Sequence, residues 1–87
     1  MNRVIIITGA TSGYGLAAAK KFKENGDIVI VASRNPDKVN TTVSENGFDD
    51  GFVLDVTKYS NWLELKDFVM KKYKRVDVLV NNAGGGI

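Results

Sequence analysis

Short apolar runs and amphipathic stretches alternate along the whole chain. Val4 to Ile7 is an unbroken β-branched run that stops at Thr8-Gly9. Ile28 to Ala32, Phe52 to Val56 and Val76 to Val80 repeat the pattern, with Asp55 and Asp77 inside the last two. Such runs suit strands covered on both faces, as in a parallel sheet. The stretches between them have helical character. Gly15 to Asn25 is Ala-rich, places Leu16, Ala19 and Phe22 on one side, and is followed by Gly26, where a helix-ending glycine is expected. Asn35-Pro36-Asp37 reads as a helix start, with Asn35 capping and Pro36 at the first helical position. Val39, Thr41, Thr42 and Val43 are poor helix formers, so this helix is expected to be short and to end at Gly47. From about Ser60 to Tyr73, Trp62, Leu65, Val69 and Tyr73 recur at intervals of 3, 4 and 4, with Phe68 beside them. This is the clearest helix, and its aromatic stripe is read as packing.

The resulting order is β-α-β-α-β-α-β, which implies right-handed βαβ crossovers, a parallel sheet and helices on both of its faces. The fold class is therefore α/β. Ligands of such sheets bind beyond the carboxyl ends of the strands. The distinctive residues fall there: Gly9 to Gly15 after the first strand, Ser33-Arg34 after the second, Asp55-Val56 after the third, Asn81 to Gly84 after the fourth. Four segments distant in sequence thus converge on one rim.

Composition narrows the chemistry. At 87 residues, 44% hydrophobic and 25% charged, the chain is one ordinary globular domain at most. It has no Cys and no His, which removes thiol nucleophiles, Cys or His metal sites and a Ser-His-Asp triad. No apolar run approaches the roughly 20 residues of a membrane span, and the first residues lack the apolar stretch of a secretory signal, so a cytoplasmic protein without a membrane partner is the expectation. Twelve basic against ten acidic residues give a net charge of +2. The clusters Lys20-Lys21-Lys23 and Lys71-Lys72-Lys74-Arg75 have no aromatic interleaving, so they are read as solvated helix faces and no nucleic-acid partner is expected.

Thr8-Gly9-Ala10-Thr11-Ser12-Gly13-Tyr14-Gly15 links a strand to a helix. Glycines let the backbone turn tightly and approach a phosphate, and the helix start offers free N–H groups at its positive dipole end. Thr11 and Ser12 add hydroxyls. A tightly packed βα turn without a ligand is the competing reading. A P-loop is excluded, because it would need Gly at position 14 and Lys at position 15.

Thr-Gly-x-x-x-Gly-x-Gly, with Leu54-Asp55-Val56-Thr57 and Asn81-Asn82-Ala83-Gly84, resembles the short-chain dehydrogenase/reductase family over about residues 3 to 84. The resemblance covers the first, cofactor-binding part of a family member. It implies a Rossmann-like, doubly wound parallel sheet of about four strands in the order 3-2-1-4, truncated relative to the family, with three helices. It further implies that Gly9, Thr11, Ser12, Gly13, Tyr14 and Gly15 surround the pyrophosphate and adenosine ribose of a dinucleotide. Asp55 and Val56 would lie against the adenine. Asn82, Ala83 and Gly84 would line the ribose and the path to the nicotinamide, and Asn81 would brace neighbouring strands. Tyr14 departs from the usual aliphatic residue and could still serve through its backbone N–H.

Arg34 bears on the choice of cofactor. It lies 19 residues after Gly15, where an acid would accept the 2′-hydroxyl of NAD and an Arg suits the 2′-phosphate of NADP. With Ser33 beside it and no acid at the strand end, NADP(H) is expected over NAD(H). A solvated loop Arg is the alternative. For Asp55 the alternative is a carboxylate that only closes the next turn, and both roles can coexist.

The family's reductases use a catalytic Tyr and Lys four residues apart. Here Tyr14, Tyr59 and Tyr73 are followed at that spacing by Ala18, Leu63 and Asp77. No catalytic residue is therefore assigned, and the chain alone is expected to lack dehydrogenase activity. Residues 1–87 are read as a single partial NAD(P)-binding domain without the catalytic half. Its fourth strand, left as an apolar edge, is expected to drive self-association or pairing with another chain. Two functions remain open: the NADP(H)-binding portion of an oxidoreductase, or a non-catalytic NADP(H)-binding or sensing module that associates with another chain.

Overall fold

Each apolar run becomes a parallel strand, and the first two runs are buried on both faces. A computed structural model describes residues 2–82, with β1 (Val4–Thr8), α1 (Gly13–Glu24), β2 (Ile28–Ser33), α2 (Pro36–Asn46), β3 (Asp50–Val53), α3 (Tyr59–Tyr73) and β4 (Val78–Asn81). The strands are all parallel and lie in the order β3-β2-β1-β4. The α/β, Rossmann-like expectation is met, strand order included.

The two-residue period of the strands sorts the core into two layers. Val4, Ile6, Ile30 and Ala32 face α3, where they meet Leu65 and Val69 with Trp62, Phe68 and Tyr73 packed against them. Ile5, Ile7, Val29 and Val31 point the other way, onto Ala19, Leu16 and Phe22 of α1 and Val43 of α2. The aromatic stripe of α3 is thus core. All five residues of β1 are buried, and its side chains supply both layers.

Element boundaries differ from the sequence expectation where side chains compete for the backbone. The second helix keeps its expected ends, yet runs unbroken for 11 residues despite its poor helix formers. Asn35 Oδ1 accepts from the Lys38 N–H, Gly47 closes the helix at φ 66°, and Val39 and Thr42 are buried, so tertiary burial overrides weak propensity. Gly51 permits this closeness: a Cβ there would stand 2.5 Å from Val39 Cγ1. The third strand stops at Val53 instead of Val56, because the Asp55 carboxylate turns back to the Thr57 N–H. The fourth begins at Val78 instead of Val76. Asp77 spends its carboxylate on the Val4 N–H at 2.7 Å and on Arg75.

A carboxylate also stands immediately before each of the other crossover strands. Asp27 accepts from the backbone N–H and guanidinium of Arg3. Asp49 accepts from the Val29 N–H at 2.8 Å and pairs with Lys23. These acids brace the amino ends of the strands, opposite the rim where a ligand would sit.

The Arg3 hydrogen bonds hold the Asp27 carboxyl below its ordinary 3.8, and Arg75 with the Val4 N–H does the same for Asp77. A carboxyl depressed in the folded state stabilises above its unfolded value and loses that contribution as pH falls towards the folded one. Thermal melts should therefore hold level from neutrality to about pH 5 and fall below about pH 4, and Asp27→Asn should flatten that acid limb.

Candidate cofactor site

A parallel sheet brings the carboxyl ends of all four strands to one edge, and the segments after β1 to β4 gather there. Gly9 and Gly13 adopt φ of 66° and 59°, which only glycine takes without strain, and they swing the chain from β1 into α1. Ser12 is the N-cap in an extended conformation, yet its side chain makes no capping bond. The first turn of α1 carries no acid. Its N–H groups and positive dipole end are therefore left for an external anion. Gly13 has open space where a side chain would go, and Tyr14 is 90% exposed at the same mouth.

Gly15 serves a different purpose. A Cβ there would lie 2.4 Å from the Gly9 carbonyl oxygen, 2.9 Å from Asn82 Nδ2 and 3.0 Å from Ala10 Cα. The helix can pass this close to the preceding loop only because the side chain is missing. Thr8 ties this turn to the fourth strand. Its buried hydroxyl donates to Asn81 Oδ1 at 2.9 Å and accepts from the Asn82 N–H at 2.9 Å. The Asn82 amide donates to Gly9 O. Asn81 braces strands as expected, and Asn82 also braces the glycine turn. Ala83 and Gly84 lie outside the described residues.

The segment after β3 is fixed from α3. Asn61 Oδ1 accepts the Asp55 N–H at 2.6 Å, and Trp62 Nε1 donates to Val56 O at 2.9 Å. The Asp55 carboxylate closes its own turn on the Thr57 hydroxyl and N–H. Those two donors, with smaller contributions from Lys58 and Arg34, hold the carboxyl below its usual range. Asp55 is thus an anion that shapes the loop, and the turn-closing role coexists with a place at the cleft.

Between these loops runs a groove in two parts. Gly9, Ser33, Arg34, Leu54, Asp55, Val56 and Thr57 line a cleft of about 370 Å³. A second, more polar hollow of about 520 Å³ is bounded by Thr11, Ser33, Arg34, Asn35, Pro36 and Lys38. Ser33 and Arg34 belong to both, so they stand at the junction. The structure therefore brings Gly9, Ser33, Arg34, Asp55 and Val56 into one cleft, with Thr11 in the adjoining hollow. Ser12, Gly13 and Tyr14 lie on the turn above.

Sequence reasoning missed Asn61 and Trp62 as supports for Asp55-Val56, because helical spacing marked Trp62 only as core. Trp62→Phe keeps the ring and removes the donor. We expect it to weaken dinucleotide affinity about three- to tenfold, the worth of one hydrogen bond, while the melting temperature moves by a few degrees only.

The comparisons agree with this geometry. The short chain dehydrogenase family model matches residues 3–87. The chain is 40% identical over 86 residues to the 3-oxoacyl-[acyl-carrier-protein] reductase FabG of Thermotoga maritima, covering 94% of this chain and 35% of that protein. It is 37% identical over 86 residues to an uncharacterized oxidoreductase, YxjF, of Bacillus subtilis, covering 94% of this chain and 34% of that one. A crystal structure of an actinorhodin polyketide ketoreductase variant with NADPH superposes with a TM-score of 0.89 at 39% identity, over 95% of this chain and 33% of the other. The fold and the rim define a Rossmann-like α/β unit. The chain belongs to the short-chain dehydrogenase family, and it spans about a third of the length of the curated relatives it matches. Among the described residues there is no cluster of metal-binding side chains and no helix long and apolar enough to cross a membrane.

Proposed function

We propose that residues 1–87 form the NADP(H)-binding portion of an oxidoreductase that exchanges hydride between nicotinamide and a carbonyl or alcohol. The single observation that carries this reading is the two-part groove with Arg34 and Ser33 at its junction. The residues fit the cofactor. The glycine turn and the acid-free start of α1 receive the pyrophosphate, and the glycine-bounded cleft beside Asp55 and Val56 receives adenine and ribose. Ser33 and Arg34 receive the 2′-phosphate, and no acid ends β2 to accept a bare 2′-hydroxyl. The bound nicotinamide would supply the hydride. Proton donation belongs to a positioned acid outside this sequence, since no Tyr here has Lys four residues on. Nothing in the fold or among the relatives favours a sensing module over this reading. The reading includes a cytoplasmic place of action.

The test is titration of the purified chain with NADPH and NADH, followed by Trp62 fluorescence. NADPH should bind about tenfold or more tightly than NADH, the worth of a hydrogen bond to a charged group. Equal affinities would contradict the preference. A folded chain that binds neither would contradict the reading.

We also propose that the chain self-associates through β4. Among the described residues β4 pairs only with β1, so its other edge presents unpaired backbone groups. Beside it, Val76 and Leu79, at 38% and 51% exposure, flank a hollow of about 260 Å³ that also touches Ile6, Trp62 and Leu65. A second copy supplies both an apolar face and strand-edge partners of the same kind. Sedimentation should show a concentration-dependent dimer, and a monomer at all concentrations would refute it.

A further inference from the structure

We propose that Lys38 is a second phosphate-recognition residue, which together with Arg34 holds the 2′-phosphate of NADP(H) and strengthens discrimination against NAD(H). The inference rests on the NADP(H) reading above and extends it to a residue that the strand-end position does not reveal.

Three observations carry it. Lys38 and Arg34 border the same 520 Å³ hollow, whose other walls, Thr11, Ser33, Asn35 and Pro36, include hydroxyls and an amide but no carboxylate. Two cations facing one acid-free hollow match a phosphomonoester, which carries about −1.5 to −2 charges near neutrality. Secondly, neither cation is held in an ion pair, although Arg34 feels the Asp55 carboxylate across the adjoining cleft. Arg3, Lys23, Lys72 and Arg75 all form ion pairs with aspartates. Among the described residues, neither Arg34 nor the Lys38 side chain has an ion pair or hydrogen bond. Asp37 and Glu45 border a neighbouring groove with Lys38 and do not pair with it.

Thirdly, the position runs against the needs of the helix. Asn35 is the N-cap of α2, so Lys38 is the third helical residue, and its N–H is the one Asn35 Oδ1 accepts. Helices favour Glu or Gln there, because a carboxylate suits the positive end of the dipole and completes a capping box. A lysine adds positive charge to that end. Local helix energetics do not account for it; an anion bound in front of the helix does.

The test uses the 87-residue chain with 2′,5′-ADP and 5′-AMP, which differ in the 2′-phosphate, and with NADPH. Lys38→Ala should weaken 2′,5′-ADP binding about three- to tenfold, somewhat above a solvent-exposed ion pair because the phosphate is doubly charged, and leave 5′-AMP unchanged. Lys38→Glu should weaken it further, and Lys38→Arg should restore it. Since Lys38 is exposed, Lys38→Ala and Lys38→Arg should melt close to the parent, and Lys38→Glu, which suits the helix start, should melt no lower. Unchanged 2′,5′-ADP affinity in Lys38→Ala and Lys38→Glu, or an equal loss for 5′-AMP, would overturn the role of Lys38 alone, provided Arg34→Ala still lowers NADPH affinity. Failure of the folded parent chain to bind NADPH or 2′,5′-ADP would instead overturn the NADP(H) reading, and this inference with it.

Discussion

Gly15→Ala is expected to cost the chain both stability and cofactor affinity, more than any other single methyl group added at the rim. The Gly15 backbone does not need a positive φ, so the obstacle is space. The added carbon would meet the Gly9 carbonyl oxygen at 2.4 Å, and that atom is backbone, held in place by the β1–β2 ladder through Gly9 N–H to Ala32 O. Relief requires α1 to move away from the turn, or the turn away from β4, where Asn82 Nδ2 is only 2.9 Å from the same point. Overpacking of this kind costs about 1–3 kcal/mol, which for a domain of this size corresponds to a melting point lower by roughly 5–20 °C. Because the displaced atoms are those proposed to face the pyrophosphate, NADPH affinity should fall more than tenfold. Gly26→Ala is the matched control. Gly26 has φ 89° and open space around it, at the far end of α1. It should lose stability through backbone strain and leave affinity per folded molecule unchanged. Calorimetric melts and titrations of the two variants separate the effects.

Arg34→Ala should remove most of the choice between nicotinamide cofactors, leaving only the share that Lys38 supplies. A guanidinium hydrogen-bonded to phosphate contributes about 1.5–3 kcal/mol, so NADPH affinity should drop about ten- to a hundredfold. NADH has no 2′-phosphate and should bind within about twofold of the parent. Arg34→Asp goes further. It would add a carboxylate able to accept the 2′-hydroxyl and repel the phosphate, so NADH should become the tighter ligand. Parallel loss for both cofactors in Arg34→Ala would mean that Arg34 supports the loop without reading the phosphate. Arg34 is exposed, so neither variant should disturb the core.

The fold was legible because its information is local. β-branched runs, a proline at a helix start and glycines at helix ends each point to one element. Alternation then leaves few topologies. Boundaries were less legible wherever a polar side chain competes with the strand ladder. Asp55 ends β3 by bonding Thr57, and Asp77 delays β4 by bonding Val4. Both are choices among partners that a residue pattern does not rank. The ends of α2 were legible from Asn35, Pro36 and Gly47, but its unbroken 11-residue run was not. Propensity describes Val39, Thr41, Thr42 and Val43 alone, whereas burial of Val39 and Thr42 beside Gly51 exists only once the sheet has formed.

At the rim, the glycine turn and Arg34 could be read from spacing. Of their supports, only Asn81 was foreseen, through the family resemblance. Thr8 reaches Asn81 and Asn82 across more than 70 residues, and Trp62 reaches Val56 O from a position whose periodicity speaks only of packing. Lys38 also sat in plain view, four residues after Arg34, but only the hollow between α2 and Thr11 shows that both cations face one space.

The most direct test of the account is to map amide chemical shifts of the 15N-labelled chain as NADPH is added. The predicted result is a set of perturbed N–H groups confined to the turn from Gly9 to Leu16, to Ser33, Arg34 and Lys38, to Asp55 through Thr57, and to Asn82, with the braces at Asp27, Asp49 and Asp77 silent. A well-dispersed spectrum that NADPH leaves unchanged, or one whose shifts gather at the amino ends of the strands, would contradict it.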